Sequence, residues 1–146
     1  CVIVRVNKLT EKRECLLVER HDEPVKGHWW FPGGRILKGE TFFQAALRKT
    51  YEETGLRDAA SPQVLGVFNT FFKKSNWEAE GESFAGTQTM NVAILVEVSD
   101  DAEILVDHTI DRFRWTEIDD PKGHEDAYIR ACLKRLTAWE GTFSRT

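Results

Sequence analysis

Between Gly34 and Leu56 the chain carries charged residues at spacings that suit a phosphorylated ligand and a metal. Gly34 is followed six residues later by Glu40 and eight residues after that by Arg48. Glu52-Glu53, Thr54, Gly55 and Leu56 complete the set. On a helix, Arg48 and Glu52 lie four apart on one face, and Lys49 and Glu53 do the same. Adjacent Glu52 and Glu53 are about 100° apart around a helix axis, so both can flank one site. A carboxylate cluster beside the exposed carbonyl of Gly34 is an all-oxygen environment. It suits a hard cation such as Mg²⁺, with Mn²⁺ as a substitute, which takes a few carboxylates and completes its shell with substrate phosphates. Alone, an arginine followed four residues on by two glutamates is commonly a solvated helix face. Its coincidence with Gly33-Gly34, Glu40 and Gly55 argues for a site.

A helix must hold these groups. Thr41 is the expected N-cap, and Gln44 three residues on completes a capping box. The helix runs to about Thr54 and stops at Gly55. Phe43, Ala46, Leu47 and Thr50 recur at three- and four-residue spacings and form the face expected to pack on a sheet. Gly33-Gly34 allows a tight turn and a close approach to a ligand. Residues 1–6 and 14–19 read as strands around a polar turn at 7–13, and Ile36-Leu37 as a short strand beside the glycines. Residues 64–72 form a strand entered at Ser61-Pro62. Residues 87–98 are the longest and most apolar strand, expected to be central. Residues 112–118 form another, with Phe113 and Trp115 on one side, broken by Asp119-Asp120-Pro121. A second helix runs from His124 to about Trp139, with Ile129, Cys132, Leu133 and Leu136 as its buried stripe. Strands with a helix on each face give an α/β/α sandwich. Two loops lie outside this frame: residues 73–86, polar with Trp77, and residues 99–111, acidic with His108. Such loops on a rigid scaffold are where reacting groups sit.

The 146 residues suffice for one core, and a single domain over 1–146 is expected. A 41% hydrophobic and 30% charged composition describes a soluble globular chain. A net charge of −4 gives no electrostatic case for nucleic acid or membrane partners. There is no apolar run of membrane-spanning length and no visible signal peptide, so a cytoplasmic location is expected. The chain opens on Cys1 within a strand-like run, consistent with further residues upstream. Cys1, Cys15 and Cys132 show neither zinc spacing nor a CxxC pair and read as small apolar residues in a reducing compartment.

The stretch from Gly34 to Leu56 resembles the Nudix box, the loop-helix-loop of hydrolases that cleave nucleoside diphosphates linked to another group. The family pattern is G, five residues, E, seven residues, then R-E-hydrophobic-x-E-E-x-G-hydrophobic. Lys49 stands where the family has the glutamate after Arg48, and Thr50 stands at a hydrophobic position. The resemblance covers nearly the whole chain and implies an α/β fold, a Nudix-type α/β/α sandwich with a mixed central sheet. Further segments are similar to the GDP-mannose mannosyl hydrolases: LLVER at 16–20, WWFPGGR at 29–35, LRKTYEETGL at 47–56, TQTMNVAILVEV at 87–98 and FRW at 113–115. That subfamily also lacks the glutamate after the box arginine, although it tends to keep only the second carboxylate of the Glu52-Glu53 pair.

The resemblance implies roles. Glu53, Glu52 and the Gly34 carbonyl would hold Mg²⁺, with Arg48 in an ion pair to Glu40 or Glu52. Arg20 and Arg35 would face the diphosphate. Trp29 of the pair Trp29-Trp30 would stack on the base. His108 would be the general base, although it lies two residues further upstream of Phe113 than the subfamily pattern places it. Asp107, Asp111 and Glu103 are its alternatives. Lys49, one helical turn from Glu53, would repel additional cations. Three functions follow: hydrolysis of GDP-mannose or GDP-glucose to GDP and sugar, a pyrophosphatase acting on NDP-ribose-like compounds or nucleoside triphosphates, or an inactive nucleotide-binding module. The expected partner is a small nucleotide or nucleotide-sugar, and a homodimer is compatible with each.

Overall fold

The computed structural model describes residues 1–73, 86–120 and 126–143. Trp77 with most of the 73–86 loop, Pro121 and the expected helix start at His124 lie outside them. Six strands and two helices follow in the order β1 (Val2–Val6), β2 (Arg13–Arg20), β3 (Trp29–Trp30), α1 (Phe42–Thr54), β4 (Ala60–Phe72), β5 (Thr87–Glu97), β6 (Ile110–Glu117) and α2 (Ala127–Phe143). Among the described residues no helix is long and apolar enough to cross a membrane.

The sheet is mixed. β1 pairs antiparallel with β2 and parallel with β5, and β5 pairs antiparallel with β4. β6 runs antiparallel along the length of β2. It therefore fills one edge of β2, and β1 and β3 share the other. The turn between β1 and β2 is held by Asn7, whose Oδ1 accepts from the backbone N–H groups of Leu9 (3.0 Å) and Thr10 (3.2 Å).

Strand alternation sends side chains to two cores. On one face Val2, Val4, Cys15, Leu17, Ala93 and Leu95 pack against Ile129, Cys132, Leu133 and Leu136 of α2, so the expected stripe is the buried one. On the other, Ile3, Leu16 and Val18 pack with Leu56 and Ile110, and Ile94 and Val96 pack with Ala46 of α1. The result is the α/β/α sandwich, with the apolar runs of β2 and β5 buried on both sides.

Several local expectations change. Ile36 and Leu37 form no strand. Leu37 donates its N–H to a Glu40 side-chain oxygen and accepts from the Glu40 N–H, which makes a turn. The short strand beside the glycines is instead β3, whose Trp30 and Trp29 pair with Val18 and Glu19. At thirteen residues β4 is longer than β5 at eleven, and Ser61-Pro62 lies inside it at a break in register between Ala60 and Gln63. β5 is nevertheless internal, between β1 and β4. The buried face of α1 is Ala45, Ala46, Thr50, Glu53 and Thr54, while Phe43 is 41% exposed. Ala46 and Thr50 lie on the expected face, but the face is rotated from Phe43 toward Glu53 and Thr54, polar residues that apolar periodicity does not count.

Both ends of α1 are tied down. Thr41 accepts from the Gln44 N–H and the Gln44 side chain accepts from the Thr41 N–H, completing the capping box. Gly55 closes the helix at φ 71°, a left-handed conformation that favours glycine. The N–H groups of Leu105 and Asp107 then donate to the carbonyls of Thr54 (2.8 Å) and Glu53 (3.2 Å), bringing the loop after β5 onto the helix end. On the outer side Arg48 grips Glu40 with two bonds, Nε to Oε1 (2.5 Å) and Nη2 to Oε2 (2.9 Å). The same Nη2 donates to the Arg35 carbonyl at 3.0 Å. Arg48 thus clamps the 35–40 turn to the helix.

Two predictions follow from these ties. Thr41→Ala removes one half of the capping box and should lower the unfolding free energy by about 1 kcal/mol in urea titration. The second concerns acid. Hydrogen bonding from Arg48, with a further bond from the Leu37 N–H, holds the Glu40 carboxyl down at about 2. A folded value below the ordinary 4.5 means that the stabilisation is complete above that pH and lost as pH falls toward 2. Glu40→Gln should therefore show a shallower fall of Tm than wild type across that window. Parallel Tm profiles would show that the pair contributes nothing to stability.

Candidate active site

Glu53 is the centre of the site and is only 2% exposed. A buried carboxylate needs partners for each oxygen. Its Oε2 accepts from the Gly33 N–H at 3.0 Å. Its Oε1 lies 3.0 Å from Lys49 Nζ and 3.5 Å from Arg20 Nη1. Lys49 Nζ also reaches Glu52 Oε2 at 3.3 Å, and that oxygen accepts from Arg48 Nη1 at 3.0 Å. Helical spacing explains the bridge: Lys49 is three residues before Glu52 and four before Glu53, so one ammonium can span both. Arg20 arrives from the end of β2, where it pairs with Ile110 of β6.

Three carboxylates (Glu40, Glu52, Glu53) and three cations (Arg20, Arg48, Lys49) thus form one connected, charge-balanced cluster. The all-oxygen cage expected from the sequence is instead an ion-pair network. Both oxygens of Glu53 already face donors, and Glu52 Oε2 faces two. Among the described residues no group of three or more acidic, histidine or cysteine side chains converges. As arranged, the ammonium of Lys49 stands between Glu52 and Glu53, and a divalent cation on that pair would have to take its place. The physical reason is the lysine at the box position where the family has a carboxylate.

Gly34 serves the same arrangement. A Cβ there would fall 2.7 Å from Lys49 Cε and 3.1 Å from Cδ. Glycine is needed for the close approach of the lysine stem. The glycine of positive φ in this loop is Gly39, at 93°. The Arg35 side chain is exposed, while its carbonyl is the acceptor for Arg48.

His108 sits in the turn that enters β6. Asp107 builds that turn: its Oδ1 accepts from the Thr109 N–H (2.8 Å) and Oγ1 (2.6 Å), and its carbonyl accepts from the Ile110 N–H. The Asp107 N–H bonds the Glu53 carbonyl, so the turn is docked on the same residue that anchors the cluster. His108 itself is exposed. Of its alternatives, Asp107 is engaged within the turn, Asp111 lies 2.9 Å from His21 Nδ1, and Glu103 is exposed.

Trp29 and Trp30 divide their roles. The Trp29 ring is half-buried and covered by the guanidinium groups of Arg114 (4.3 Å) and Arg112 (5.6 Å). Trp30 is the one that lines a cavity of about 670 Å³, packed near Phe72 and Tyr128 at ring separations of 5.7 and 5.1 Å. Phe68, Thr70 and Tyr128 complete that wall. The sequence signal for it was the period-two run Phe68, Thr70, Phe72 in β4, together with Tyr128 one turn ahead of Cys132 on α2.

A family model described as a NUDIX domain matches residues 2–139. A putative 8-oxo-dGTP diphosphatase of Bacillus subtilis is 37% identical over 81 residues, 56% of this chain and 49% of that protein. The low-salt glycan biosynthesis protein Agl8 of Haloferax volcanii is 40% identical over 63 residues, 43% of this chain and 40% of that protein. The chain thus spans half or less of the length of these two curated relatives. A solved structure, the binary complex of the C. elegans Ap4A hydrolase, superposes with a TM-score of 0.70 at 25% identity, covering 97% of this chain and 94% of that one. The family match runs from β1 into α2 and takes in the whole loop-helix-loop around Glu53; the chain belongs to the NUDIX domain family.

Proposed function

We propose that the chain is a hydrolase of nucleoside diphosphate derivatives, and that its substrate is a nucleoside diphosphate sugar, GDP-mannose or GDP-glucose, converted to GDP and free sugar. The observation that carries this reading is the Lys49 ammonium held between Glu52 and Glu53. Attack on phosphorus asks a site to gather several metal-bound oxygens around an already anionic centre. Here Lys49 and Arg20 are paired to Glu53, and their remaining N–H groups are the donors that suit a departing diphosphate.

The reacting atom is then the anomeric carbon. Water attacks C1 as the bond from C1 to the phosphate oxygen breaks, through an oxocarbenium-like transition state. GDP leaves with the bonding electron pair, and a base takes the proton of water. His108 is assigned that role, carried by the turn docked on Glu53, and the aromatic cavity at Trp30 offers a stacking surface for the nucleobase. The glycan-biosynthesis name of the Haloferax relative is in keeping with a sugar-linked nucleotide. A second reading, pyrophosphate cleavage of NDP-ribose-like compounds or nucleoside triphosphates, is favoured by the near full-length likeness to the Ap4A hydrolase.

Hydrolysis in ¹⁸O-water separates the two. Label in the released hexose, with GDP as the other product, is the expected result. Label in GMP or sugar phosphate would replace it with the pyrophosphatase reading. His108→Gln should slow the reaction by roughly 10²–10⁴, the usual general-base contribution. Correct labelling with an unimpaired variant would move the base to Asp107, Asp111 or Glu103. Glu53→Gln, which takes the anion away from Lys49, Arg20 and the Gly33 N–H, should lose most turnover with an unchanged circular dichroism spectrum. Full turnover in this variant would separate the cluster from the chemistry.

A further inference from the structure

We infer that Lys49 is a tethered cation standing in a divalent-ion position, so that metal reaches the Glu52-Glu53 carboxylates of the free protein only by displacing the lysine side chain. The inference rests on the ion geometry alone and is independent of the substrate chosen above. Nζ bridges Glu53 Oε1 at 3.0 Å and Glu52 Oε2 at 3.3 Å, which places one compact charge between two carboxylates. The stem is seated as well as the head. Its Cε occupies the space beside Gly34 that a Cβ would need, and the side chain is only 19% exposed.

The surrounding groups hold this state. Glu53 cannot turn away freely, because Oε2 is bonded to the Gly33 N–H and Oε1 also faces Arg20. Glu52 is shared with Arg48, which is itself fixed by Glu40. With its charges balanced, the cluster exerts little attraction on a further cation. A divalent ion placed beside the ammonium would meet a repulsion of its own at contact range.

Mn²⁺ titrated into the full chain without substrate, followed by the EPR signal of the free ion, tests this directly. Lys49→Met should bind Mn²⁺ about tenfold or more tightly than wild type, the order expected when a unit charge about 4 Å from a divalent ion is removed. Lys49→Arg, which keeps the charge, should stay as weak as wild type. Adding Glu53→Gln to Lys49→Met should abolish the gain. Equal Mn²⁺ affinity in wild type and Lys49→Met would overturn the inference. So would a gain that survives Glu53→Gln. Melting curves on each variant confirm that a folded protein is being titrated.

Discussion

A glutamate buried to the degree of Glu53 is unstable in a protein interior unless its charge is answered, and the answers join four separate segments of this chain. Gly33 brings the glycine loop, Arg20 brings the end of β2, and Lys49 keeps the contact within α1. The Glu53 backbone carbonyl adds the turn before β6 through the Asp107 N–H. Removing one partner would leave a charge without compensation in a place water reaches poorly, a cost larger than that of any exposed pair. The carboxylate is therefore a structural junction first, and whatever chemistry it performs is performed by a group that cannot be moved without moving its neighbours.

The second tie, Arg48 with Glu40, works on the outer side of the same helix and in a wetter setting. Its two parallel bonds give geometry more than energy. They fix where the 35–40 turn lies over the helix, and the Arg35 carbonyl completes the fixing. Together the inner and outer pairs confine a loop with little regular structure of its own. That is why the loop can pass directly over a lysine stem at Gly34.

Local chemistry was legible in the sequence, and partner choice was not. Thr41, Gln44 and Gly55 announced both ends of α1 because caps act within a few residues. The Ile129, Cys132, Leu133 and Leu136 stripe was legible because all four are apolar and periodic. Phe43 misled because the buried face of α1 runs on from Ala46 and Thr50 to Glu53 and Thr54, which hydrophobicity alone does not flag. Ile36-Leu37 looked strand-like, but β2 already had β1, β3 and β6 along its two edges. At the site, helical spacing placed Lys49 near Glu53. It could not say that one ammonium would bridge both carboxylates, because that depends on Arg20, Gly33 and Gly34 arriving from elsewhere. The different surroundings of Trp29 and Trp30 likewise depend on Arg114, which covers the Trp29 ring, and Tyr128, which packs beside Trp30.

The parallel pairing of β1 with β5 has a consequence for biosynthesis. Val2 lies against Leu95 and Val4 against Glu97, so the first strand of the sheet waits for a neighbour more than ninety residues downstream. At translation rates of roughly 5–20 residues per second, that wait lasts on the order of 5–20 seconds. In the interval β1 and β2 can close as a hairpin, but Val2, Ile3 and Val4 keep an open edge and an uncovered apolar face. Contacts this distant in sequence come late and slowly. The nascent chain therefore spends its most aggregation-exposed period with the box helix already synthesised and its sheet still unfinished.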